Sequence, residues 1–263
     1  EIKNKLVTLK TQIIGTWTLL KKELLRFWRV VFQTVAAPVI TGILYLLIFS
    51  HVLDSRLEVY EGVAYTAFLI PGLIMMSLLQ NAFSNSSSSL IQSKVMGNIV
   101  FLLLTPLSYL QLFFAFLMAS IARGLFVGIC IYLISIIYID LPIEHPWILL
   151  LFALLGGGLM GAFGIIAGVW CDRFDQMAAF GNFVIMPLSM LSGVFYSIHS
   201  LPPIWQKISQ LNPFFYMIDG FRFGFFGKSD VSPYFSLVIV ALFFIALSFI
   251  TIRMLKSGFK LRN

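Results

Sequence analysis

The sequence predicts an all-α integral membrane protein: six transmembrane helices, an N-terminal interfacial amphipathic helix, and re-entrant helices between spans five and six. Three observations lead there. Of 263 residues, 59% are hydrophobic and only 11% charged, with a mean hydropathy of +0.95, whereas soluble domains carry about 25% charged residues. The apolar residues gather in long runs joined by short polar connections. Ahead of the first run, apolar positions recur every three or four residues among lysines and arginines.

Residues 1–30 carry the apolar series Leu6, Leu9, Ile13, Trp17, Leu20, Leu24, Phe27 with Val31, and the cations Lys3, Lys5, Lys10, Lys21, Lys22, Arg26 and Arg29. Such a helix lies at a membrane interface, its charges among lipid headgroups. The block–charge–cleavage pattern of an export signal is missing. Residues 31–263 then form one six-span domain, with spans at Val31–Leu53, Val63–Phe83, Ser108–Ile139, Trp147–Val169, Ala178–Tyr196 and Tyr234–Leu255, each near the ~20 residues needed to cross hydrocarbon. Between the last two, Pro202-Pro203 starts one short helix, and Asn212-Pro213 ends it and opens another over Phe214–Phe226. Neither piece is long enough to cross, so both are expected to be re-entrant. With a cytoplasmic N-terminus, thirteen cations fall on the cytoplasmic side and four, Arg56, Lys207, Arg222 and Lys228, outside. The positive-inside bias therefore puts both termini in the cytoplasm.

Composition also excludes functions. The net charge of +7 does not form the solvated basic face that nucleic acid requires. Cys130 and Cys171 lack metal or disulfide spacing. No Gly-x-Ser-x-Gly, His-Glu-x-x-His or phosphate-loop motif occurs. The glycines 156–158, 161, 164 and 168 instead make a close-packing helix face, as do Gly124 and Gly128 in the third span. Asp54, Glu58, Glu61, Asp140, Glu144, Asp172, Asp175, Asp219 and Asp230 all lie outside confident span interiors, which disfavours an ion-coupled carrier. His51, His145 and His199 sit near span ends and read as interfacial residues.

Three places read as sites. The second span turns polar at Asn81, Ser84, Asn85 and Ser86–Ser89 as if leaving the membrane, and the following segment, with Lys94, Met96, Asn98, Ile99 and Leu103 before Thr105-Pro106, reads as a helix that touches a partner. Arg123 stands within an apolar run, where a cation costs about 2.5–3.5 kcal/mol on insertion scales; it either binds an anion in a translocation path or reaches an interface or a carbonyl. The turn Asp172-Arg173-Phe174-Asp175 either caps two helices or makes a second cytoplasmic contact.

Phe68-Leu69-Ile70-Pro71-Gly72-Leu73, Ser192-Gly193-Val194-Phe195-Tyr196 and Leu211–Arg222 together resemble the permease subunits of ABC type-2 exporters, in particular YadH-like bacterial inner-membrane permeases, with nodulation lipo-oligosaccharide and O-antigen export permeases as more distant relatives. The resemblance spans nearly the whole chain. It implies a homodimer in the bacterial inner membrane, bound to a separate ATP-binding subunit that holds ATP and Mg, with no cofactor in this chain and no covalent chemistry of its own. It further implies that Lys3–Arg29 is the connecting helix, that Lys94–Pro106 with Asp172, Arg173 and Asp175 couples to the ATPase, and that the re-entrant pair carries Trp205, Asn212, Pro213, Tyr216, Asp219 and Arg222. Leu73, Met76 and Gln80, with Phe183, Met186 and Met190, are the implied path-lining positions, beside Arg123. Relatives place several charges in the coupling helix; Lys94 nearly alone here implies mainly apolar docking. The expected function is ATP-driven export of a hydrophobic or amphipathic substrate from the cytoplasm or inner leaflet; an ion-driven carrier or channel and a non-transporting scaffold are the rivals.

Overall fold

The computed structural model describes residues 2–53, 58–60 and 62–260. Asp54, Arg56, Glu61 and Arg262, and the side chains of Lys3, Lys5, Leu6, Leu9, Lys10, His51 and Glu58, lie outside the described residues. The chain is mostly helical: α1 (Ile2–Arg29), α2 (Val31–Leu53), a hairpin of β1 (Glu58–Tyr60) and β2 (Val63–Ala64), α3 (Tyr65–Val95), α4 (Ile99–Leu104), α5 (Tyr109–Ser135), α6 (Pro146–Trp170), α7 (Phe174–Phe180), a π turn (Gly181–Ile185), α8 (Met186–Met190), α9 (Pro203–Gln210), α10 (Pro213–Phe226) and α11 (Pro233–Ser257). Among the described residues α3, α5, α6 and α11 are each long and apolar enough to cross a membrane; Gln12–Arg29 with Val31–Tyr45, bent by 59°, makes a fifth if taken as one.

Helix α3 is the axis of the fold. Its most apolar window is 89% buried, against 17% for α11, so α3 is enclosed by protein and α11 faces outward. Around it stand α2, α5, α6 and α10. Its serine-rich half does not leave the bundle: the helix runs unbroken to Val95, and Ser86, Ser87 and Ser89 are buried. The reason is the glycine face of α6. A Cβ at Gly164 would strike the Phe83 carbonyl and Ser86 hydroxyl, and one at Gly168 would lie 2.8 Å from Leu90 Cβ. Small residues on both helices permit that approach, and the serine hydroxyls find acceptors, Ser86 donating to the Gly161 carbonyl at 2.8 Å and Ser87 to Phe83 at 2.8 Å.

The fifth apolar stretch also differs from expectation. It is helical from Phe174 to Met190 rather than to Tyr196, and it is not among the four long apolar helices. Within it the Met186 N–H bonds the Gly181 carbonyl, five residues back. Pro187 follows and has no N–H to continue a four-residue register, so the register is given up there. After Met190 the chain turns, with Gly193 in the left-handed region at φ 74°, where other residues are strained.

The two short helices begin at their prolines. Pro203 and Pro213 occupy first-turn positions, where a missing N–H costs nothing. The Asn212 side chain accepts from the Phe214 N–H at 3.0 Å and donates to the Leu188 carbonyl at 2.6 Å. Helix α9 leaves Ile204, Trp205 and Leu211 exposed, whereas α10 is buried on nearly every side against α6, α11 and α3.

Two glycine substitutions, one in the α3–α6 seam and one outside it, test the seam by contrast. Gly164→Leu is expected to destabilise the purified protein by about 1–3 kcal/mol through overpacking or to prevent its accumulation. Gly181→Ala, whose Cβ meets nothing within 4 Å, gains up to about 1 kcal/mol of helix propensity. Thermal unfolding in detergent, followed by size-exclusion chromatography, separates the two.

Candidate coupling site and translocation path

Gly97, at φ 72°, turns the chain from α3 into α4, a single apolar turn and a half, Ile-Val-Phe-Leu-Leu-Leu. Its residues divide three ways. Ile99 and Leu103 are half-buried and pack, with Leu102, on the cluster of Leu19, Leu90, Phe113 and Phe116. Val100 and Leu104 point outward, 54% and 75% exposed. Asn98, Phe101, Leu102 and Thr105, at helical spacing, wall a groove of about 820 Å³ whose other sides are Ile14, Leu19, Lys22 and Arg26 of α1 and Gln92, Ser93 and Met96 at the end of α3. Val95 and Met96, 54% and 62% exposed, continue the apolar rim.

Lys94 points inward instead. Its ammonium donates to the Val169 and Cys171 carbonyls at the end of α6 and to Asp172 Oδ1 at 3.2 Å, and only 10% of its side chain is exposed. Asp172 is shared: Lys260 Nζ reaches Oδ2 at 3.1 Å and the Trp170 carbonyl at 3.0 Å. The hydrogen bonds from Lys260 and Lys94 hold the Asp172 carboxyl below the usual carboxylate range. Arg173 and Asp175 are exposed, Asp175 in the first turn of α7, where the helix dipole favours a carboxylate.

A polar seam between α1, α3 and α5 lies above the groove, and Glu23, fully buried, is its centre. It accepts from Ser89 Oγ at 2.8 Å and from Arg26 Nε at 3.2 Å, with Lys22 Nζ at 3.4 Å. Arg26 continues to the Asn85 carbonyl at 2.7 Å and Ser88 Oγ at 3.1 Å. Further along, Arg123 of α5 bonds Asn81 Oδ1 through Nε and Nη2 at 3.3 and 3.2 Å and lies 5.5 Å from the Phe27 ring centroid. Arg123 is thus held by a neutral side-chain amide on α3, a partner that the sequence did not indicate.

The path candidates separate within one chain. Leu73, Met76 and Gln80 line a cavity of about 250 Å³ with Ser77, Ile131 and Pro38, Thr41 and Gly42 of α2. Phe183, Met186 and Met190 are instead exposed on the fifth stretch, Phe183 by 81%. At the opposite end from α4, Arg222 is buried and donates to the carbonyls of Phe68, Gly193 and Val194 at 3.3, 2.9 and 3.5 Å, its guanidinium 3.7 Å over the Phe68 ring. Asp219 accepts the N–H groups of Asp230 and Val231 at 2.8 and 3.0 Å, and Asp230 accepts from Tyr60, Ser197 and the Ile198 N–H. Burial pushes the Tyr60 hydroxyl well above its ordinary range, so it stays a donor. Tyr216 donates to the Gln210 carbonyl at 2.8 Å, fastening α10 to the end of α9. All three sequence motifs, around Pro71-Gly72, Gly193 and Asn212–Arg222, converge on this one assembly.

A family model described as ABC-2 type transporter matches residues 15–226. The chain belongs to the ABC-2 type transporter family. It is 38% identical over 252 residues to the inner membrane transport permease YadH of Escherichia coli K12, covering 94% of this chain and 98% of that protein. It is also 29% identical over 192 residues to the capsule polysaccharide export inner-membrane protein CtrC of Neisseria meningitidis serogroup B, 68% of this chain and 66% of that one, and 28% identical over 188 residues to the capsule polysaccharide export inner-membrane protein BexB of Haemophilus influenzae, 67% and 65%. These ABC-2 relatives are named as permeases and export proteins of the inner membrane, not as enzymes.

The family match takes in α1 from Gly15, and sequence reasoning did not single out the buried Glu23 on the packed face of that helix. Its packed face is Leu19, Glu23 and Phe27, while Ile13 and Trp17 of the apolar series are exposed. Glu23 three residues before Arg26, facing Asn81, Asn85, Ser88 and Ser89 at helical spacing, was the available signal. Lys260 gave none, because its partner Asp172 is distant in sequence.

Glu23→Ala is expected to cost about 1–3 kcal/mol, since it orphans the Ser89 hydroxyl and Arg26 Nε, whereas Glu23→Gln, which keeps an acceptor for Ser89, costs less; thermal unfolding ranks them. The Asp172 clasp carries a pH dependence. Its folded pKa is depressed from 3.8, so its contribution is full above that value and is lost as pH falls through the lower folded pKa. Hydrogen exchange of residues 256–260, corrected for intrinsic rate, is expected to rise only in that acid window.

Proposed function

We propose that this chain is the permease subunit of an ATP-driven exporter that moves a hydrophobic or amphipathic substrate from the cytoplasm or inner leaflet, as a homodimer bound to separate ATP-binding subunits that carry ATP and Mg. The observation that carries this is α4: a six-residue apolar helix whose Ile99, Leu102 and Leu103 pack on the bundle while Val100, Phe101 and Leu104 stay between 54% and 75% exposed beside an open groove. Such a patch marks an interaction surface, and ABC-2 permeases pair with an ATP-binding subunit. Met96, Asn98, Phe101 and the groove form the docking surface, with Ile99 and Leu103 holding α4 to the bundle. Arg173 and Asp175 offer a second contact on the same side.

In this reading residues 1–30 are the connecting helix, its Ile13, Ile14, Trp17 and Trp28, all more than half exposed, resting in lipid. The six spans are α2, α3, α5, α6, the α7–α8 stretch and α11, with α9 and α10 re-entrant on the outer side and both termini cytoplasmic in the inner membrane. Phe183, Met186 and Met190 face the second copy, and the path opens between protomers beside α3, near Leu73, Met76, Gln80 and Arg123. Relatives that export capsule polysaccharide are consistent with a large amphipathic cargo. An ion-driven carrier is disfavoured because the buried carboxylates Glu23 and Asp219 are both fully engaged.

The test is ATP hydrolysis by the complex purified through a tag on this chain. Native protein is expected to bring active ATPase with it, and Val100→Asp/Leu104→Asp, at exposed positions that leave the core intact, is expected to lose it. A well-folded native protein with no accompanying ATPase would overturn the exporter reading in favour of a carrier or scaffold.

A further inference from the structure

Helix α6 ends in a knot of three chain segments that its own sequence does not explain. Its final carbonyls, Val169, Trp170 and Cys171, have no partner in the next turn of helix, and a helix C-terminus favours cations. Two lysines supply that role from elsewhere: Lys94 from the last turn of α3 and Lys260 from beyond α11. Asp172 then binds one lysine with each carboxylate oxygen. Lys260 also sits 5.3 Å from the Trp170 ring centroid.

The Lys260–Asp172 pair is exposed on both sides, by 34% and 55%, and such pairs contribute about 0–1 kcal/mol; Lys94, only 10% exposed, is the member held firmly, by two backbone carbonyls as well as by Asp172. Its position is informative. The glycine seam between α3 and α6 ends at Gly168 and Leu90. Lys94 is the fastening beyond that seam, three residues before the chain turns at Gly97 into α4. A displacement of α4 reaches α3 through the short segment that Lys94 anchors, as it reaches α5 through residues 105–108 and α1 through the packing of Ile99, Leu102 and Leu103.

We propose that Lys94 is a positioning residue that makes the cytoplasmic end of α6 follow α4, and that Lys260 only seats the C-terminal segment on the same carboxylate. The inference rests on the ATPase-docked exporter reading and adds a route for the movement through the fourth span. A side chain turned away from the docking face thus transmits what the apolar face receives.

The experiment uses the complex co-purified through this chain and compares hydrogen exchange with and without vanadate-trapped nucleotide, in peptides covering α4 and residues 166–173. In native protein both regions are expected to respond to nucleotide. In Lys94→Met the α4 response persists and that of 166–173 is lost, Lys94→Arg restores it, and Lys260→Met keeps it. A merely structural Lys94 would raise exchange in 166–173 without nucleotide yet leave the nucleotide-induced change in place, which overturns the proposal. Loss of both responses in Lys94→Met also overturns it, because Lys94 would then belong to docking. Absence of ATPase from the native preparation instead strikes the exporter reading, and the proposal falls with it.

Discussion

Close approach of α3 and α6 sets the geometry of everything else. The glycines at 164 and 168 let the backbone of α6 lie against Phe83, Ser86, Ser87 and Leu90, and the Ser86 hydroxyl turns that proximity into a hydrogen bond to the Gly161 carbonyl. In lipid no hydrophobic force drives helices together, so contact distance and polar satisfaction must do so. With α6 pinned there, α10 has a wall to lie against, Phe152 packing where Gly220 leaves room, and α11 has only an outer surface left, which it meets through Thr251 and the Ala162 carbonyl.

The two ends of the bundle use polar groups differently. The end that carries Arg222 is closed on itself: Arg222 and Asp219 take their partners from backbone, Asp230 adds the Tyr60 and Ser197 hydroxyls, and together they bind the hairpin, the Gly193 turn, α10 and the start of α11 into one body. The end that carries α4 is built from side-chain pairs across α1 and α3, and it leaves an apolar helix and a groove open. A partner that pushes on the second end therefore works against a rigid cap at the first.

Much of this was legible in the sequence. The runs gave α2 to the residue and α5, α6 and α11 to within a few, because length and hydropathy decide them. Pro203 and Pro213 marked their helices because proline restricts helix starts. The serines of α3 did not reveal their burial, since a hydroxyl that bonds back to its own helix is as compatible with protein around it as with water, and only the α6 glycines decide between them. The fifth stretch ended early for a backbone reason, the Pro187 register change and the Gly193 turn, which hydropathy does not register. At the candidate site the α4 segment was visible as apolar residues outside a span, but which way Lys94 turns depended on α6 carbonyls some 75 residues away.

The way Arg222 is held has a consequence for how the chain tolerates change over generations. Its acceptors are the carbonyls of residues 68, 193 and 194, and a carbonyl is present whatever side chain the residue carries. Position 194 can therefore drift without touching the anchor. Position 72 cannot, because a Cβ there would come within 3.1 Å of both the guanidinium and the Val194 backbone. The arginine and the glycine at 72 are thus fixed by the anchor itself and Gly193 by its left-handed backbone at φ 74°, whereas position 194 is limited only by the core in which it packs.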